Sequence, residues 1–91
     1  MTKNNGVNVI FSARFLRSAK RLPAEIQKKL EKRSALFKNN PFDPQLGTHK
    51  LHGELQGFWA YSVDYHYRVV FVFNNKKITT YYDIGTHAIY Q

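Results

Sequence analysis

Four histidines and one arginine are the side chains of this 91-residue sequence best suited to chemistry. His49, His52, His66 and His87 all lie in the second half, and Arg68 opens an otherwise apolar run. Imidazole gives and takes protons near neutral pH. Cleavage of RNA by its own 2′-hydroxyl needs a base for the hydroxyl proton, an acid for the leaving oxygen, and a cation for the charge that builds on the phosphate. Two histidines and an arginine supply all three, with no cofactor and no metal. Other chemistries lack their residues: there is no phosphate-cradling glycine loop, serine elbow or paired-carboxylate motif, and no cysteine. His49 and His52 could share a face only on a helix. Gly47 and Gly53 beside them favour extended chain, in which those two side chains diverge while Lys50 and His52 share a side.

Each candidate has a plainer reading. Arg68 could be salt-bridged to Asp64, because a charge on an apolar strand must lie at its mouth or be paired. His87 follows Gly85, where a strand gives way to a tail, a common place for site residues. It could equally be a surface imidazole. His66 falls in a turn between strands, and Asp83 reads as a strand-end hydrogen-bond acceptor.

The charge distribution points to a polyanionic partner. Lys and Arg number 14 against 6 Asp and Glu, a net charge of +8. Residues 1–40 hold ten basic and two acidic side chains, so the whole excess sits there and the remainder is neutral. A one-sided positive field attracts nucleic acid or an acidic protein; a solvated helix surface is the alternative. The sequence has 43% hydrophobic and 15% aromatic residues, too many for a disordered chain. No apolar run approaches the roughly 20 residues of a membrane span, and the N-terminus does not look like a signal peptide. One cytoplasmic domain over residues 1–91 is expected.

These side chains need a scaffold. Val7 to Phe11 reads as a strand and Ser12 as a helix N-cap. Phe15, Leu16, Ala19 and Leu22 follow at helical spacing. Pro23 breaks that helix and suits the first turn of a second, with Ile26, Leu30 and Phe37 on one side and Lys28, Lys29, Lys32 and Arg33 on the other. Asn39-Asn40-Pro41 stops it. After a loop to Thr48, strands are expected over residues 58–63, 67–73 and 78–84, the last ended by Gly85, with a short extra strand near His49 to His52. The fold class is α+β, ordered β-α-α-β-β-β, with the helical hairpin on one face of a mainly antiparallel sheet. On the other face Trp59, Tyr61, Tyr65, Tyr67, Tyr81 and Tyr82 could stack RNA bases, or fill a two-sided core.

Lys50-Leu51-His52-Gly53 with Leu55, Gly57 and Trp59, then Tyr67-Arg68-Val69-Val70-Phe71, then Asp83-Ile84-Gly85-Thr86-His87, come in an order and at separations that resemble the RelE/ParE toxin superfamily. Phe11-Ser12 and the basic hairpin also match. The histidine-using YoeB and YafQ branches are nearest. The resemblance implies the toxin of a type II toxin–antitoxin system, an endoribonuclease that cuts mRNA in the ribosomal A site by 2′-hydroxyl attack. It also implies an acidic antitoxin that wraps and silences it. By position, Arg68 matches the phosphate-binding arginine, His87 the general acid, His49 the base, and Tyr90 the aromatic near the C-terminus. Lys50 and His52 flank the motif leucine and could assist, and His49 and His52 could exchange roles. Lys28, Lys29, Lys32, Arg33 and Lys50 are the RNA-binding candidates. Trp59 and Tyr61 stand where RelE itself carries a lysine pair, which favours a histidine-driven mechanism. The other function within the superfamily is that of ParE, a DNA gyrase poison without nuclease activity.

Overall fold

Ser12 separates the first strand, β1 (Asn8–Phe11), from the first helix, α1 (Ala13–Lys20). Its hydroxyl accepts from the Phe15 N–H at 2.9 Å and donates to the Tyr82 carbonyl at 2.7 Å, so one side chain caps the helix and ties it to the sheet. These positions come from a computed structural model, which describes residues 6–86. The second helix, α2 (Ala24–Asn39), starts after Pro23, whose φ of −55° suits a helix entry, and stops at Asn40 before Pro41. Then come β2 (His49–Lys50), β3 (Trp59–Ser62), β4 (Tyr67–Phe73) and β5 (Ile78–Thr86), with 3₁₀ turns at Pro44–Leu46 and Gly53–Leu55.

The sheet order is β1-β5-β4-β3-β2. All neighbours are antiparallel except β1 and β5, which run parallel. The fold is therefore the expected α+β arrangement, and the extra strand near His49 is β2. It is only two residues long because Gly47 at φ 63° and Gly53 at φ 71° turn the chain on either side. The last strand differs from expectation: Gly85 does not end it. Gly85 pairs with Arg68 and Thr86 with Tyr67, so β4 supplies the ladder partners that a glycine would otherwise forgo.

Both helices pack on one face of the sheet. Phe15, Ile26 and Phe37 meet Tyr61, Val69, Phe71, Tyr81 and Ile84 there in the main core. Phe37 is fully buried and contacts the rings of Tyr61, Phe71, Phe73 and Tyr81 at centroid distances of 4.8 to 6.5 Å. The opposite face carries a smaller cluster, Leu51, Ala60 and Val70, flanked by Leu55, Phe58 and Tyr82, to which neither helix contributes. No helix among the described residues is long and apolar enough to cross a membrane.

Candidate functional site

Arg68 is the second residue of β4 and pairs with Ser62 on one side and Gly85 on the other. By the two-residue period of a strand it belongs to the same face as Val70, the face without helices. Its Nη1 donates to three carbonyls of the β3–β4 turn: Asp64 at 2.9 Å, Tyr65 at 3.2 Å and Tyr67 at 3.2 Å. Nε and Nη2 have no hydrogen-bond partner among the described residues. The expected alternative, a salt bridge to Asp64, is corrected by this geometry. The Asp64 carboxylate instead accepts from the N–H groups of His66 and Tyr67 and faces Lys29 at 3.5 Å. Burial pushes the Asp64 pKa up, but those two N–H groups and the Lys29 ammonium outweigh it and hold the carboxyl below its ordinary value.

His49 lies on edge strand β2 opposite Ala60, in a cross-strand row that continues through Val70 to Asp83. Its Nδ1 is 2.9 Å from the Gly47 carbonyl, which orients the ring. Strand spacing near 4.8 Å and a rise near 3.3 Å per residue put the His49 and Arg68 Cα atoms about 12 Å apart across this face. Both side chains are long enough to approach one phosphodiester between them. Lys50, Leu51 and His52 all line a groove of about 360 Å3 with Gln56, Gly57, Phe58 and Trp59. The Lys50 ammonium stands 5.6 Å from the Trp59 ring centroid. His66 sits exposed in the turn, its backbone N–H bonded to Asp64. His87 and Tyr90 lie outside the described residues. Thr86, immediately before His87 in the chain, is in register with Tyr67, beside Arg68.

The basic face of α2 is on the helix side of the sheet. Lys29 lies 3.5 Å from Asp64 but keeps an exposed side chain, and Arg33 donates to the Gln45 carbonyl at 2.6 Å; Lys28 and Lys32 are exposed. Most of the six aromatics considered for base stacking are core instead. Tyr61 and Tyr81 are fully buried and their hydroxyls meet at 2.8 Å, while Trp59 and Tyr67 pack on the main core. Tyr65 is 84% exposed on the β3–β4 turn. Tyr82 alone joins the helix-free face, where its ring lies 5.0 Å from that of Phe58. A hollow of about 650 Å3 is lined by Val7, Phe42, Trp59 and Phe73 at the far end of β4 from Arg68. It brings together none of the candidate catalytic groups.

Asp83 is the acceptor its position suggested, and its partners were not legible in the sequence. It takes hydrogen bonds from Arg14 Nε at 3.0 Å, the Ser18 hydroxyl at 2.6 Å and the Ile84 N–H at 2.8 Å. Arg14 and Ser18 are 69 and 65 positions away, and a separation of four residues on a helix was the only hint that they could act together.

No protein-family model matches the sequence, and no curated protein matches it. Solved structures do match. YafQ from E. coli strain BL21(DE3) superimposes with a TM-score of 0.71 at 21% identity, covering 91% of this chain and 96% of that one. The YoeB/ParE toxin from Agrobacterium tumefaciens gives 0.73 at 15% identity, over 89% and 99%. This chain has the RelE/YoeB/YafQ-type toxin fold. A third structure of this toxin fold, the RelBE2 toxin–antitoxin complex of Mycobacterium tuberculosis, matches at 0.69 and 16% identity, over 90% and 99%. At these identities the likeness is one of fold, and the site must be argued from its own residues.

Proposed function

We propose that this protein is the toxin of a type II toxin–antitoxin pair, a cytoplasmic endoribonuclease that cuts mRNA on the ribosome without a metal ion. His49 or His52 takes the 2′-hydroxyl proton. The 2′-oxygen attacks the adjacent phosphorus, and Arg68 holds the charge that develops on the phosphoryl oxygens. His87 gives a proton to the departing 5′-oxygen, leaving a 2′,3′-cyclic phosphate and a free 5′-hydroxyl. Tyr90 packs against the nucleotide, and Lys50, with Lys28, Lys29, Lys32 and Arg33, contacts mRNA or ribosomal RNA.

The observation that carries this reading is the state of Arg68. One nitrogen is fixed by three carbonyls, while the rest of the guanidinium has no hydrogen-bond partner among the described residues, on a face that also bears His49. A fixed fork with a vacant edge suits a phosphate, and His87 directly follows the residue paired beside it. A cognate acidic antitoxin is the expected partner, since the first 40 residues carry the whole excess of +8. Two of the structures with this fold, from E. coli and M. tuberculosis, are toxin–antitoxin complexes.

Expression of the wild type should arrest growth and deplete mRNA, and the double substitution Arg68→Ala with His87→Ala should do neither. Equal toxicity of the double variant with mRNA intact would overturn the proposal. A small acidic protein encoded next to this gene should restore growth and co-purify with the chain.

A further inference from the structure

Arg14 reaches the helix-free face of the sheet from α1, and nothing in the catalytic reading uses it. Beyond Phe11, the flank of β5 passes from β1 to α1: the Ser12 N–H bonds the Tyr81 carbonyl at 3.1 Å and its hydroxyl bonds that of Tyr82. From there the Arg14 side chain is held at two points. Its Nε donates to Asp83 Oδ2 at 3.0 Å, and its guanidinium carbon lies 5.2 Å from the centre of the Tyr82 ring. Asp83 is itself buried and fixed by Ser18 and the Ile84 N–H. The hydrogen bond to Asp83, and then the proximity of Tyr82, raise the Arg14 pKa above its ordinary value. Its side chain is nevertheless 58% exposed, and both Nη atoms lack a hydrogen-bond partner among the described residues.

A guanidinium gripped through Nε and stacked on an aromatic ring keeps the outer edge that binds phosphate. We infer that Arg14 is a second anion-binding residue, which takes the phosphate of a nucleotide flanking the one held by Arg68. Tyr82 lies three residues from Gly85, the partner of Arg68, so strand geometry separates Tyr82 and Arg68 by about 11 Å. From Tyr82 the surface continues to Phe58 at 5.0 Å, and Phe58 lines the groove that holds Lys50 and His52. A single RNA strand thus has a route across the strands of the sheet, from Arg14 over the Tyr82–Phe58 pair to the β2 edge. Cations at its ends and aromatic rings between them are what single-strand binding surfaces combine.

The inference rests on the reading that this face takes RNA, and it is tested without cleavage. Binding of a fluorescent single-stranded 2′-O-methyl oligoribonucleotide, which cannot be cut, is measured by anisotropy across a salt series. Arg14→Gln should weaken binding and reduce the slope of log K against log salt by about 0.7, the value of one phosphate contact on a single strand. Arg21→Gln, which also removes a helix charge, should leave the slope unchanged. Asp83→Asn is the sharper test. It makes the chain more positive, so bulk attraction alone would tighten binding; loss of Arg14 orientation should instead weaken it several-fold. A wild-type slope in Arg14→Gln, or tighter binding by a folded Asp83→Asn protein, overturns the inference. A wild type that binds with the expected slope but leaves translated mRNA intact overturns the nuclease proposal and leaves Arg14 in its role.

Discussion

The phenol pair in the core makes a quantitative prediction about stability. The Tyr81 hydroxyl meets that of Tyr61 at 2.8 Å and the Ser34 hydroxyl at 3.0 Å, and both rings are fully buried. Tyr81→Phe removes the group that joins the other two. The two lost hydrogen bonds are worth roughly 1 kcal/mol each, and a buried hydroxyl left without a partner costs about 1–3 kcal/mol more, so a loss of about 3–5 kcal/mol is expected. The pair also predicts a pH response. Burial, against weaker opposing effects from Ser34 and Tyr61, pushes the Tyr81 pKa from 10.0 to about 12. Burial and then the Tyr81 partner push Tyr61 well above its ordinary value too. Because the fold favours the neutral phenols, their contribution is fully present below pH 10. It falls as the unfolded chain begins to ionise and is lost as pH passes through the folded value. For Tyr81, two pKa units correspond to about 2.7 kcal/mol between roughly pH 10 and 12. Urea unfolding followed by Trp59 fluorescence at pH 7, 10, 11 and 12 measures both effects. Subtracting the Tyr81→Phe profile from the wild-type profile cancels lysine titration, which both share. The double variant Tyr61→Phe with Tyr81→Phe should recover part of the loss at pH 7, because replacing both partners removes the orphaned hydroxyl. A Tyr81→Phe protein as stable as wild type at pH 7, or a difference profile flat above pH 10, would refute this account of the core.

Two further predictions concern the elements that carry the site. Ser12→Ala should cost about 1–2 kcal/mol in chemical denaturation, since it loses both the α1 cap and the tie to the Tyr82 carbonyl. Asp64→Asn should flatten the acid limb of the stability profile. The Asp64 carboxyl is held below its ordinary value, so its contribution is present above about pH 4 and lost as pH falls through the lower folded value; an unchanged acid limb would contradict the Lys29 and turn contacts.

Much of this architecture was legible because local chemistry and tertiary structure agree. Tyr67 to Phe73 is an apolar run between turn residues, and β4 has those bounds. Ser12, Pro23 and Asn40-Pro41 punctuate the helices where capping and proline geometry require. The sequence did not reveal what depends on a partner strand. β5 continues through Gly85 because Arg68 and Tyr67 pair with its end. A register shift between Val70 and Phe71 inserts Tyr82 between the partners of those residues, so the alternation that assigns side chains to faces fails there. Tyr81 and Ile84, three residues apart, consequently both enter the main core, while Tyr82 between them joins the opposite face. Arg68 looked pairable with Asp64 from spacing alone. The turn presents carbonyls to the guanidinium instead and keeps the carboxylate for its own N–H groups. The Arg14–Asp83 contact links the two ends of the chain, and no local pattern encodes it.

The central claim is that Arg68 stabilises the charge on a phosphodiester attacked by its own 2′-hydroxyl. Mapping cut sites and end groups on an mRNA translated in a reconstituted reaction tests it most directly. The wild type should produce cuts within the open reading frame that carry 2′,3′-cyclic phosphate and 5′-hydroxyl ends, and a folded Arg68→Ala protein should lose at least a hundredfold in rate, as for removal of one donor to a developing oxyanion. Intact mRNA with the wild type, ends carrying a 5′-phosphate, or undiminished cutting by Arg68→Ala would contradict it.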